Sequence, residues 1–196
     1  EAKNSSHHVE NCVFQNNSST DFGGAIVLND FTVEGENYFT ISNCLIEGNQ
    51  ADNNGGGLAV ANEDDLAEVS VVNTVFSNNS SPLVGAFLVG SSTGNPDLDS
   101  DIKLINCRFN DHDNPNGFVL GLQDHDVDII NCTITENESS SVGVFNNASA
   151  LITNNIMDAG VYPNFVNAGS NDTPIRSSGG NIVSDLTLGD AARDSD

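Results

Sequence analysis

Six times along the chain a short apolar segment runs into an asparagine and resumes as a second apolar segment. The copies are VENCVFQNN from Val9, TISNCLIEGN from Thr40, SVVNTVFSNN from Ser70, KLINCRFND from Lys103, DIINCTITEN from Asp128 and LITNNIMDAG from Leu151. Their asparagines are Asn11, Asn43, Asn73, Asn106, Asn131 and Asn154, at intervals of 32, 30, 33, 25 and 23 residues. A constant core with insertions of variable length explains the drift. Self-similarity at such a period marks a stacked repeat, in which a unit buries its apolar face only against its neighbours.

Aligned on the asparagine, the copies form columns. Two places before it stand Val9, Ile41, Val71, Leu104, Ile129 and Ile152; three places after it stand Phe14, Ile46, Phe76, Phe109, Ile134 and Met157. These columns are apolar throughout and are assigned inward. The column between them, Val13, Leu45, Val75, Arg108, Thr133 and Ile156, admits charge and is assigned outward. Asparagine tolerates left-handed backbone geometry and bonds to its own surroundings. The six therefore predict a corner where two short strands meet, with the side-chain amides stacked as a ladder. Six to ten residues on, a glycine leads into an apolar run: Gly23-Gly24-Ala25-Ile26, Gly55-Gly56-Gly57-Leu58, Val84-Gly85-Ala86-Phe87, Asn116-Gly117-Phe118-Val119 and Val142-Gly143-Val144-Phe145. That reads as a tight bend into a third strand. No segment holds a 3.6-residue apolar period, so helices are not expected. A β-sandwich would not place one residue type at one corner of each repeat. The expectation is an all-β fold, a right-handed parallel β-helix of about six coils with three short strands per coil. Its coils span residues 9–160, after a flanking segment 1–8 and before a degraded last coil and acidic tail, 161–196.

Phe14 to Asn17 and Phe76 to Asn79 fit a Phe-x-x-Asn pattern, Ile46 to Asn49 and Ile134 to Asn137 fit it with Ile for Phe, and Gly23 to Ile26 reads Gly-Gly-Ala-Ile. Both motifs resemble the repeats of the chlamydial polymorphic outer-membrane proteins. The tail, ITNNIM followed by SSGGNIVSD from Ser177, resembles the end of β-helices in large secreted bacterial surface proteins. The resemblance covers about residues 9 to 185 and implies a β-helical fold, export and adhesion. The motifs themselves are scaffold rather than chemistry.

With 28 acidic and 5 basic residues the formal charge is −23, which leaves no basic patch to neutralise phosphates and argues against a nucleic-acid partner. No run of 18 apolar residues is present for direct membrane insertion. Glu1 to His8 read as the interior of a longer chain. Neighbouring domains or like subunits are expected over the unpaired strand edges at the solenoid ends. Insertions between the glycine-led strand and the next asparagine-bearing strand emerge along one side. They carry Asp30, Glu34 and Glu36, then Glu63, Asp64, Asp65 and Glu68, then Asp97, Asp99 and Asp101, and finally Asp124, Asp126 and Asp128. Such an edge collects cations. Asp97, Asp99, Asp101, Asp124, Asp126 and Asp128 are candidate metal ligands, and calcium, with its loose coordination by oxygen, is the cofactor they would suit. A merely solvated acidic border explains the same residues.

Cys12, Cys44, Cys107 and Cys132 each follow a corner asparagine, which places them in adjacent coils about 4.8 Å apart. An inward ladder of buried thiols is the expectation; disulfides in an oxidising compartment are the alternative. Asp111-His112-Asp113 and Asp124-His125-Asp126 read as solvated turns at two different corners of one coil, with metal binding or acid–base work as the alternative. The strand-borne base candidates are Lys103 and Arg108, and Arg108 with Asp111 and Asp113 is the best acid–base cluster. Tyr38 and Tyr162 fall in expected loops. On this evidence the chain reads as a non-catalytic β-helical segment of an extracellular or cell-surface protein, adhesive or stalk-like, with a surface polysaccharide or protein as partner. The alternative is a polysaccharide-binding or lyase-like β-helix.

Overall fold

The computed structural model describes residues 5–30, 37–62, 66–90, 101–167 and 175–184. Within them the chain winds as a parallel β-helix whose faces are three long sheets. The first sheet stacks Ser5–Glu10, Asn37–Ser42, Leu66–Val72, Asp101–Ile105, Asp126–Ile130, Ser149–Thr153 and Ile175–Ser177. The second stacks Val13–Gln15, Leu45–Glu47, Val75–Ser77, Arg108–Asn110, Thr133–Ile134, Ile156–Met157 and Ile182–Val183. The third stacks Ile26–Asp30, Leu58–Asn62, Val84–Gly90, Asp113–Gln123, Glu138–Phe145 and Phe165–Asn167. Every pairing is parallel, between strands of successive coils.

The register follows the apolar columns. Val9, Ile41, Val71, Leu104, Ile129 and Ile152 are consecutive partners in the first sheet. Phe14, Ile46, Phe76, Phe109, Ile134 and Met157 are consecutive partners in the second. From Ile41 and Ile46 onward these side chains are buried. The rings of Phe76 and Phe109 stack at 4.9 Å. Because strand side chains alternate, the residue between two buried ones must face out; Val13 and Arg108 do so. Ile26, Leu58, Phe87, Leu120, Val142 and Phe165 close the core from the third sheet.

The solenoid contains a seventh coil, formed by residues 175–183. Its corner residue is Gly180, at φ 72°, where the other coils have asparagine, with Gly179 as an extra residue beside it. This is the degraded last coil expected within 161–196; the substitution at its corner is what makes the repeat look degraded. The first strand begins at Ser5 rather than Val9, and Tyr38 lies within a strand rather than a loop.

The corners carry two kinds of polar stack. At the first corner Asn11, Asn43, Asn73, Asn106, Asn131 and Asn154 all adopt φ between 51° and 55°. They point outward and are exposed. Asn106 Nδ2 donates to Asn73 Oδ1 at 2.6 Å, and Asn73 Nδ2 donates to Asn43 Oδ1 at 3.2 Å. At the second corner the left-handed residues are Asn16, Gly48, Asn78, Asp111 and Glu136. Each is followed by a side chain of the ladder: Asn17, Asn49, Asn79, His112 and Asn137, buried from Asn49 onward. Asn49 Oδ1 accepts both the backbone N–H and the side-chain amide of Asn17, at 3.0 and 2.9 Å. Its Nδ2 donates to the Phe14 carbonyl, and Asn79 repeats the pattern one coil on. The second ladder therefore satisfies buried peptide groups that the strands leave unpaired.

The difference in burial predicts a difference in stability. Asn49→Ala should lower the unfolding free energy by about 2–3 kcal/mol, because buried donors and acceptors lose partners. Asn73→Gly keeps the left-handed geometry and breaks only exposed bonds, and should lower it by about 1 kcal/mol or less. Denaturant titration of both variants measures this; equal losses would show that the buried rungs hold no more than the exposed ones.

Candidate functional site

The outward face of the third sheet carries the most site-like feature among the described residues. Its middle strands present Gly121 and Gly143, register partners with no side chain. The absence lets other side chains lie against the sheet: a Cβ on Gly121 would collide with Val84, and one on Gly143 would come within 2.6 Å of the Phe118 ring. Phe118 meets Phe145 edge to face at 5.2 Å. Beside this layer runs a groove of about 290 Å³, edged by Phe22, Leu83, Leu88 and Phe145, with the amides of Asn54 and Gln123 in its wall. Gln123 and Phe145 are neighbours in register. Asn54 Oδ1 is buried without a hydrogen-bond partner. Among the described residues the lining of the groove is apolar apart from those two amides and carries no ionisable side chain.

The two base candidates, Lys103 and Arg108, are engaged elsewhere; Arg176, on the strand Ile175–Ser177, is exposed. Lys103 faces out from the first sheet and pairs with Asp101, with Asp128 opposite it in the next coil. Its bond to Asp101, with the charges of Asp101, Glu68 and Asp128, holds the ammonium above the ordinary lysine range. A base must first lose its proton, and this setting resists that. Arg108 pairs at 3.0 Å with Glu136, not with Asp111 or Asp113. The Asp111 carboxylate instead bonds Asn110 and, at 3.4 Å, Ser77.

The acidic candidates spread out. Asp97 and Asp99 lie outside the described residues, as do Glu34, Glu36, Glu63, Asp64 and Asp65. Asp101 is in the Lys103 pair. Asp124 is buried at a left-handed corner, accepting from Gln123 and from Asn146 at 3.1 Å. Exposed Asp126 accepts from Ser149, and Asp128 stands half-buried two places further along the same strand. Among the described residues no group of three or more carboxylates, imidazoles or thiols is arranged to hold a metal ion.

A family model described as the right handed beta helix region matches residues 2–179. The chain belongs to that family. No curated protein and no solved structure matches it.

In this right-handed β-helix the cysteines are rungs. Their column runs Cys12, Cys44, Thr74, Cys107, Cys132, Asn155 and Asn181, just inside the first corner. The Cys107 amide donates to Cys132 Sγ at 3.4 Å, as the Cys44 amide donates to Thr74 Oγ1 and the Cys132 amide to Asn155 Oδ1. Each thiol in turn donates to carbonyls: Cys107 to Val71 and Ile105, Cys132 to Leu104 and Ile130. All four are free thiols. Burial pushes the Cys44 thiol up, and the sulfur of Cys132, with burial added, pushes Cys107 well above the ordinary thiol range.

Sequence reasoning missed three things here. The second-corner ladder was visible as Phe-x-x-Asn, but its asparagine was not recognised as an inward rung. His112 and His125 were expected in solvent and are both buried; the signal for His112 was its place in the asparagine column. The groove left no local signal, because Phe22, Asn54, Leu83 and Phe145 come from four different coils.

Thiol counting tests the cysteine ladder. With no reductant, four thiols should titrate in denaturant, and in the native protein only half-buried Cys12 should react readily, because thiolate is the reactive species. Fewer than four in denaturant would mean a disulfide and would contradict the ladder.

Proposed function

We propose that this right-handed β-helix is a non-catalytic segment of a secreted or cell-surface protein, with an adhesive or stalk role. The observation that carries the non-catalytic part is the state of the two base candidates beside acids: Lys103 and Arg108 are both ion-paired, and Lys103 is held protonated. The buried side chains of Asn49, Asn79, Asn137 and Asn155 are engaged as rungs between coils. The surface role rests on the likeness of the Phe-x-x-Asn and Gly-Gly-Ala-Ile motifs to those of the chlamydial polymorphic outer-membrane proteins. The formal charge of −23 is in keeping with an exposed, well-hydrated solenoid.

A specific observation favours a second reading, polysaccharide binding without cleavage. The groove on the third sheet has aromatic edges at Phe22 and Phe145, amides at Asn54 and Gln123, and no charge. Apolar sugar faces pack on aromatic rings, and side-chain amides at a groove wall can bond hydroxyls.

One experiment addresses both. The protein is incubated with neutral and anionic polysaccharides, and chain cleavage and retardation in affinity electrophoresis are read together. No cleavage is expected; cleavage lost on Lys103→Ala or Arg108→Ala would overturn the non-catalytic reading. The second reading expects retardation by a neutral polysaccharide, weakened about three- to tenfold by Phe145→Ala. Retardation by anionic chains alone, unaffected by that substitution, would contradict it.

A further inference from the structure

Two buried imidazoles stand in one coil, outside the groove. His112 is 0 % exposed and occupies the second-corner column otherwise filled by Asn17, Asn49, Asn79 and Asn137. An asparagine rung offers a fixed acceptor to one neighbour and a fixed donor to the other. An imidazole does not, because the roles of its nitrogens change with protonation. The Asn79 backbone N–H approaches His112 Nδ1 at 3.2 Å, a bond that requires Nδ1 to be bare and the proton to sit on Nε2. The Asn79 carbonyl oxygen lies 2.9 Å from the same Nδ1, and is its partner in the neutral Nδ1–H tautomer and in the charged ring. Only a neutral ring can accept the Asn79 N–H; the charged ring, a donor at both nitrogens, cannot. Nε2 is buried with no hydrogen-bond partner. On the other side the His112 amide donates to Asn137 Oδ1 at 3.0 Å, so the ring sits in the middle of the ladder.

His125, 1 % exposed, follows the left-handed residue Asp124 at the third corner of the same coil. Both its ring nitrogens are buried without partners. The charged neighbours are few. Asp111 adjoins His112, and its carboxylate is bonded to Asn110 and Ser77. Asp124 and Asp126 flank His125, and their bonds go to Gln123, Asn146 and Ser149.

We propose that residues 108–126 form an acid-sensitive joint, in which protonation of His112 and His125 breaks the ladder and parts the coils on either side. Burial holds both imidazoles below the ordinary histidine range; the backbone at Asn79 and Phe76 and the charge of Asp111 oppose this at His112, as Asp124 and Asp126 do at His125, without overcoming it. The fold thus favours the neutral form. What these groups contribute to stability is complete above about pH 6.5, the ordinary value in an unfolded chain, and is lost progressively as the pH falls below it. Each imidazole takes up one proton on opening, so the opening constant grows up to about tenfold per pH unit for each. A surface protein entering a mildly acidic setting would loosen at this level first.

Native-state hydrogen exchange on the full chain tests the joint. The amides to follow are Asn79, which donates to His112 Nδ1, and Glu138, which donates to the His112 carbonyl. With intrinsic exchange rates corrected for, their opening constants should rise by up to about a hundredfold per pH unit below about pH 6.5. In His112→Asn, which restores the rung of the neighbouring coils, the slope should fall to about tenfold per unit. His125→Gln should give a similar reduction. Carboxylate titration is common to all three proteins and drops out of the comparison. Equal slopes in the parent and both variants would overturn the proposal. So would imidazoles that titrate by NMR while the Asn79 amide stays protected.

Discussion

A solenoid must turn its chain at every corner, and at every turn a peptide N–H leaves the strand ladder while remaining near the core. A buried N–H without an acceptor destabilises the fold as much as several ordinary contacts stabilise it. This chain meets the constraint with a two-residue device. The first residue adopts left-handed geometry and faces out; the second turns its side chain in and accepts the N–H of its equivalent in the preceding coil. Asn49 and Asn79 do this at the second corner. Thr74, Cys132, Asn155 and Asn181 do it at the first. Because each rung bonds to the next, the corners become continuous polar rods beside the apolar columns, and strand register follows from them.

The exchangeability of Asn, Thr and Cys in one column shows what the position demands: a small side chain with an acceptor for the N–H and a donor for a carbonyl. Cysteine meets it with weak sulfur bonds and pure burial. Histidine meets it only in one protonation state, which is why His112 stands out in a column of amides. Cysteine content alone would suggest redox or metal chemistry, and histidine next to aspartate would suggest catalysis. In the stack the cysteines and His112 have structural partners first.

Much of the fold was legible in the sequence because the device repeats. The outward asparagine needs its residue type at one spacing, and the inward apolar columns follow from strand alternation. What was not legible depended on substitution or on distance. Gly180 replaces asparagine at the seventh coil, so that coil read only as a degraded one. His112 replaces asparagine at the second corner, so its burial was read as exposure. The groove depends on how Phe22, Leu83 and Phe145, from the first, third and fifth coils, line up across coils of unequal length, and no local pattern encodes that alignment. The acidic insertions show the opposite case: their composition is plain in the sequence, yet the described carboxylates go to Lys103, Asn146 and Ser149 rather than to a common centre.

If the inward rungs act as one ladder, neighbouring rungs must be energetically coupled, and a double-mutant cycle on Asn49 and Asn79 measures that coupling. Each asparagine is replaced by alanine singly and together, and unfolding free energies are determined in denaturant. The ladder requires the double variant to depart from the sum of the single ones by about 0.5–3 kcal/mol, since Asn49 Nδ2 donates directly to Asn79 Oδ1. Additivity within about 0.3 kcal/mol would mean that the rungs bond to their own coils independently, and would contradict the account of how this solenoid is held together.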